Sequence, residues 1–127
     1  MREIIHPEAV ALFGECGALP LYEALAGWIL AEFPNAELRP RRTQIGFAEG
    51  RLFACASRAA VRRKAGRPDP WITVSLGLPR PLESPRALAV RVRPDRWTNH
   101  VVLGPGEIDG ELKDWLREAR DFAARPR

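Results

Sequence analysis

The residues best suited to chemistry gather in one stretch, "RWTNHVVLGPGEIDGELKDWL", residues 96–116, which carries Trp97, His100, Glu107, Asp109 and Glu111. An imidazole beside spaced carboxylates is the equipment of general acid/base work. The spacing also has a second account. Acids around the first turn of a helix complement the partial positive charge of its unpaired N–H groups, for roughly 0.3–1 kcal/mol each, and need no substrate to do so. That account carries more weight here, so Asp109 is expected to cap a helix that Trp115 anchors. "GPGEIDG" lacks the GxGxxG spacing of a phosphate cradle, and no GxSxG, Walker or HExxH pattern occurs. His6 and His100 are the only histidines, so no metal and no cofactor is expected. Cys55 falls on the apolar side of a strand, where a cysteine behaves as a small hydrophobe. With no nucleophile paired to a base, the reading leans away from an enzyme.

His100 needs separate treatment. On an alternating strand Trp97, Asn99, Val101 and Leu103 share one side, while Thr98, His100 and Val102 share the other. A histidine hydrogen-bonded across the sheet is the expected outcome. With Arg91, Arg93 or Arg96 beside it, the imidazole could also orient an anion.

The arginines are the second resource. Residues 39–96 hold 14 Arg and Lys against four acids, while the flanking ends carry six basic residues against 12 acids, within a net charge of +4 over 127 residues. Arg39, Arg41 and Arg42 form one group, and Arg58, Arg62, Arg63, Lys64 and Arg67 occupy a long loop. Such groups meet phosphates or acidic surfaces. Arg supplies 18 of the 20 basic residues, a bias that a GC-rich genome also produces. A solvated surface therefore stands beside a polyanion site as an account of the excess.

These residues must be positioned by a small number of elements. Pro7 suits the first turn of a short helix, and Leu21, Leu25, Trp28 and Ile29 recur at helical spacing until Pro34. The period then changes to two. Thr43, Ile45 and Phe47 share one side of a strand, and Phe53 and Cys55 share one side of the next. Ile72, Val74, Leu76 and Leu78 point inward from a third, and "LAVRVR" and "WTNHVVL" supply two more. Leu112, Trp115, Leu116, Ala119, Phe122 and Ala123 form a final helical stripe. No connection has room for a crossover helix, so the strands should pair mainly antiparallel, as a meander. The expected architecture is α+β in two layers: about five strands, with N-terminal helices and a C-terminal helix on one face. Trp28, Ile72, Val74, Leu76, Trp115 and Phe122 should be largely buried.

In this setting the pattern from Trp97 to Ala119, with "LYEAL" at 21–25, "TQIGFA" at 43–48 and "LPRPLESPR" at 78–86, resembles the DUF5655 domain family over about residues 6–124. The resemblance implies a small α+β fold filling residues 1–127 as one domain, and it transfers no catalytic residue. The 58–70 loop departs from it, being longer and more basic.

The expected function is that of a non-catalytic binding module of the bacterial cytoplasm. Its basic side, built from Arg39, Arg41, Arg42, Arg58, Arg62, Arg63, Lys64 and Arg67, would contact nucleic acid or an acidic protein. The rival reading is a pocket domain for a small anionic ligand around Arg91, Arg93, Arg96, Trp97 and His100, with an enzyme of unknown reaction as one form it could take. The cytoplasmic expectation rests on two distant cysteines outside any CxxC and on the lack of a secretory pattern. No apolar run approaches the roughly 20 residues of a membrane span, so no membrane partner is expected. Oligomeric state is left open.

Overall fold

Pro7 begins the first helix, α1 (Pro7–Phe13), where its missing N–H and fixed φ cost nothing. Helix α2 (Leu19–Glu32) buries Leu21, Tyr22, Leu25, Ala26, Ile29 and Leu30, and Phe33 ends it ahead of Pro34. Strands β1 (Glu37–Pro40), β2 (Gln44–Glu49), β3 (Arg51–Ser57), β4 (Ile72–Leu78), β5 (Ala87–Arg93) and β6 (Arg96–Leu103) follow, and then helix α3 (Gly110–Ala124). This is a computed structural model, and it describes residues 4–61 and 67–126. Arg62, Arg63 and Lys64 lie outside the described residues.

The class is α+β, with six strands rather than about five. The additional one, β1, has only four residues and ends in proline, so its "ELRP" reads in sequence as part of a basic run. All neighbours are antiparallel in the order β1-β2-β3-β4-β6-β5. Helix α3 packs on β3 and β4, and α1 on β2. The helical side of the sheet carries Ile45, Phe47, Ala56, Val74, Leu76 and Val101, all fully buried with Leu112, Leu116 and Ala119 of α3. Among the described residues, no helix lies on the other side of the sheet.

The sheet is not a simple meander, because β6 sits between β4 and β5. Residues 79–86 carry the chain back along the sheet through bends and a turn closed by the Ala87 N–H on the Ser84 carbonyl. Pro79, Pro81 and Pro85 suit such a path, since each fixes its own φ and disfavours helix in the residue before it. Asn99 secures it from β6: its Oδ1 accepts the Leu82 N–H at 2.8 Å, and its Nδ2 donates to the Arg80 carbonyl at 3.1 Å. Asn99 is fully buried, so these bonds satisfy an amide that would otherwise be costly there.

A bulge in the β2–β3 pair explains another departure from alternation. Phe47 pairs with Ala54 and Ala48 with Leu52, which leaves Phe53 as the extra residue. Phe53 and Ala54 both join the core, and Cys55 turns to the side without helices, opposite to the side expected for it. Trp28 and Phe122 are also less buried than their stripe positions suggest. Cations cover them instead: Lys113 and Arg117 lie over the Trp28 ring, and Arg125 over Phe122.

The 104–111 junction is architectural. Asp109 Oδ1 accepts the Leu112 N–H at 3.0 Å, and Glu107 Oε1 accepts the Gly104 N–H at 2.6 Å. Arg86, at the end of the crossover, donates to both Asp109 oxygens at 3.1 Å and to Glu111 at 2.8 Å. The Leu112 bond, reinforced by Arg86, holds the Asp109 carboxyl below its ordinary range. Asp109→Ala should cost about 1 kcal/mol through the lost cap, read from urea unfolding. An unchanged midpoint would mean that the helix start is held by other contacts.

Candidate functional site

The basic middle of the sequence is divided by the fold among three uses. Some arginines pair with helix acids: Arg80 with Glu118 at 2.7 Å, and Arg86 with Asp109 and Glu111. Part of the charge division along the chain is thus complementarity between the 79–86 connection and the acids of α3 and its cap. A second group lies at the end of the sheet where β3 finishes and β4 begins. There Arg58 and Arg67 stack on Trp71, at 3.8 and 4.6 Å from the ring centroid, and Arg58 also donates to the Trp71 carbonyl. Exposed Arg41 and Arg42 lie at this end, in the β1–β2 turn.

The third group lines a cleft of about 810 Å³ at the opposite end of the sheet. It forms where the β2–β3 turn, the β5–β6 turn and the last turn of α3 meet. Gly50, at φ +75°, makes the first turn in the left-handed region that glycine tolerates. Arg39, Arg51, Arg93, Arg96 and Arg125 line the cleft together with a single acid, Asp95. Two of these cations serve the fold. Arg51 donates from Nη1 to the carbonyls of Ala123 at 3.1 Å and Arg125 at 2.7 Å, which satisfies the open end of α3. Arg39 bonds Glu37 at 3.2 Å and the Gly50 carbonyl at 2.7 Å. The side chains of Arg93 and Arg96 have no hydrogen-bond or ion-pair partner among the described residues.

Arg96 and Leu52 also border a shallower depression of about 130 Å³ on the side of the sheet without helices. Its floor is small and polar: Gly77, Ser75, Cys55 and Thr98. Glycine lets both walls close onto the sheet. A Cβ on Gly46 would stand 2.5 Å from Leu52, and one on Gly77 would stand 3.2 Å from the Arg96 guanidinium. The cleft therefore continues onto the sheet through Arg96 and Leu52.

Cys55, Ser75 and His100 stand in one row across β3, β4 and β6. Ser75 Oγ and His100 Nδ1 share a hydrogen bond of 2.7 Å, the cross-sheet bond anticipated for this histidine. Burial pushes the Cys55 thiol up, against hydrogen bonds from Ser75 that favour the thiolate. Burial lowers the His100 pKa below its ordinary 6.5. As pH falls, the unfolded chain takes up this proton before the folded one, so the stability tied to neutral His100 is complete above the ordinary value and is lost on acidification below it. An NMR titration should place the ring midpoint below 6.5, and His100→Gln should flatten the decline of stability with acid. A midpoint at or above that value would contradict this environment.

Trp97 lies on the helical side, paired with Leu78 and Arg91, with the Arg91 guanidinium 5.7 Å from its ring centroid. Trp97 and His100 thus point to opposite sides of β6. The fold brings Arg39 together with Arg93 and Arg96 and keeps Arg41, Arg42, Arg58 and Arg67 away from them. Arg51 and Arg125 were missed, because only the β2–β3 turn and the end of α3 make them neighbours. The Gly50 turn beside Arg51 was the available signal. Among the described residues, no three His, Cys, Asp or Glu side chains converge as metal ligands, and no helix is long and apolar enough to cross a membrane.

A family described as a domain of unknown function, DUF5655, matches residues 15–123, and the chain belongs to that family. No curated protein and no solved structure matches the chain.

Proposed function

We propose that the protein is a non-catalytic binding module of the bacterial cytoplasm, and that its arginine-lined cleft takes an acidic segment of a partner protein. The carrying observation is the cleft itself, where, among the described residues, five arginines meet one acid and the Arg93 and Arg96 side chains have no hydrogen-bond or ion-pair partner. Guanidinium groups bind carboxylates through paired N–H donors, and two uncommitted ones at a cleft mouth can do so without breaking internal bonds. The side of the sheet that continues from the cleft bears Leu52, Leu88 and Val90, all exposed. Apolar contacts there favour a protein over a nucleic acid, because stacking of bases calls for exposed aromatic rings and the exposed large hydrophobics among the described residues are all aliphatic.

Three observations favour binding without turnover. Cys55 is buried and its thiol is favoured over the thiolate. No carboxylate orients His100 among the described residues. Ser75 is paired on both sides, to Cys55 and to His100, so it lies inside the ladder rather than beside free N–H groups of the kind an oxyanion requires. A small-ligand pocket between Trp97 and His100 draws no support, since a strand separates them. Two unbridged cysteines, Cys16 and Cys55, fit a reducing compartment.

The test compares two double variants at opposite ends of the sheet, Arg93→Ala/Arg96→Ala and Arg41→Ala/Arg42→Ala, in binding to poly-glutamate. Loss confined to the first supports the cleft. Equal loss in both would indicate diffuse attraction by net charge.

A further inference from the structure

Strand β5 forms one edge of the sheet, since β6 is its only strand neighbour among the described residues. Edge strands expose a row of unpaired backbone groups, and proteins ordinarily shorten, charge or cover them. This edge has seven residues, contains no proline and presents apolar side chains to solvent: Leu88, Val90 and Val92 are 49%, 48% and 54% exposed. Leu88 and Val90 pair with His100 and Thr98, and so stand on the side without helices. The register shift between Arg91 and Arg93 limits regular pairing to Ala87–Arg91. Within that stretch Ala87, Ala89 and Arg91 alternate with the two exposed apolar residues.

We propose that this edge binds an extended segment of alternating apolar and acidic residues, which adds to β5 as a seventh strand. Main-chain hydrogen bonds would give the affinity and the two side-chain rows the selectivity. Apolar side chains of the added strand lie beside Leu88 and Val90. Its acidic side chains fall on the opposite side, where one meets Arg91 and the others meet only alanine. Within the regularly paired stretch Ala87–Arg91 the one charged residue is Arg91, so an acidic side chain is attracted there and a second copy of the same basic edge is repelled. The proposal shares only the sign of the partner's charge with the cleft reading. It uses Arg91, which does not line the cleft.

The probes are two synthetic heptapeptides, one alternating valine with glutamate and one alternating valine with lysine, titrated into the full chain and followed by amide NMR. The glutamate peptide should bind at least tenfold more tightly, with the largest shifts at residues 87–91. N-methylation along the peptide edge that faces β5 should abolish binding to the unmodified protein, a result that needs no variant to fold. Arg91→Glu should reverse the preference, while Arg93→Ala/Arg96→Ala leaves it in place. Equal affinity for the two peptides, or binding that survives N-methylation, would overturn the proposal. So would loss of peptide binding in the Arg93→Ala/Arg96→Ala protein alone, which would return the peptide to the cleft. Dimers forming through residues 87–91 in preference to peptide binding would also overturn it, by making the occupant a second copy.

Discussion

Trp115→Ala is expected to lower the unfolding free energy by about 3–5 kcal/mol, the range for removing a large aromatic from a core. Trp115 is 8% exposed on α3, in the cluster that joins this helix to β3 and β4. Arg86 lies 5.5 Å from its ring centroid while binding Asp109 and Glu111. One substitution therefore removes the anchor of α3 and the surface on which the crossover arginine rests. Trp28→Ala is the internal comparison, since that ring is half-buried, with Lys113 and Arg117 over it and Phe33 at its edge. Its cost should be smaller. Urea unfolding of both variants checks the order, and a Trp115→Ala midpoint equal to wild type would mean that α3 contributes little to the fold.

The elements most legible in the sequence were those with a sustained period. The inward set Ile72, Val74, Leu76 and Leu78 and the helical stripe from Leu112 to Ala119 reach the core as their spacing requires. Reading failed where one residue breaks the period. Phe53, inserted by a bulge, reverses the side on which Cys55 falls, and nothing in "RLFACAS" distinguishes that from plain alternation. Asn99 did carry a signal, being an amide at an inward position. Its partners in residues 80–82 follow from a crossover that strand patterning does not encode.

The site was legible only in part, for a related reason. Arg93 and Arg96 stood out as neighbours in sequence, but charge alone cannot separate them from Arg80 and Arg86, whose partners Glu118, Asp109 and Glu111 lie far along the chain. An arginine becomes available for binding when the fold leaves it without an acid, and that is a property of the tertiary arrangement. The alanine-substituted positions 93 and 96 should accordingly affect binding far more than stability. Both belong to the tight β5–β6 turn, and neither side chain has an internal bond to lose among the described residues.

The second large effect is on affinity. Partly exposed ion pairs contribute about 0.2–1 kcal/mol each, so removing Arg93 and Arg96 together should weaken poly-glutamate binding by about twofold to about thirtyfold across that range. The same variant should respond less to salt, because each lost contact is one fewer screened interaction. Random-sequence duplex DNA provides a calibrated comparison, since each phosphate contact steepens the dependence of log K on log salt by about 0.9.

The most direct measurement is a titration of poly-glutamate and duplex DNA over a range of salt into three proteins: wild type, Arg93→Ala/Arg96→Ala and Arg41→Ala/Arg42→Ala. A cleft for an acidic protein segment predicts that wild type and the Arg41/Arg42 variant bind poly-glutamate alike and in preference to DNA, while the Arg93/Arg96 variant loses affinity and shows a flatter salt dependence. Equal binding by all three proteins, or a preference of wild type for DNA, would contradict it.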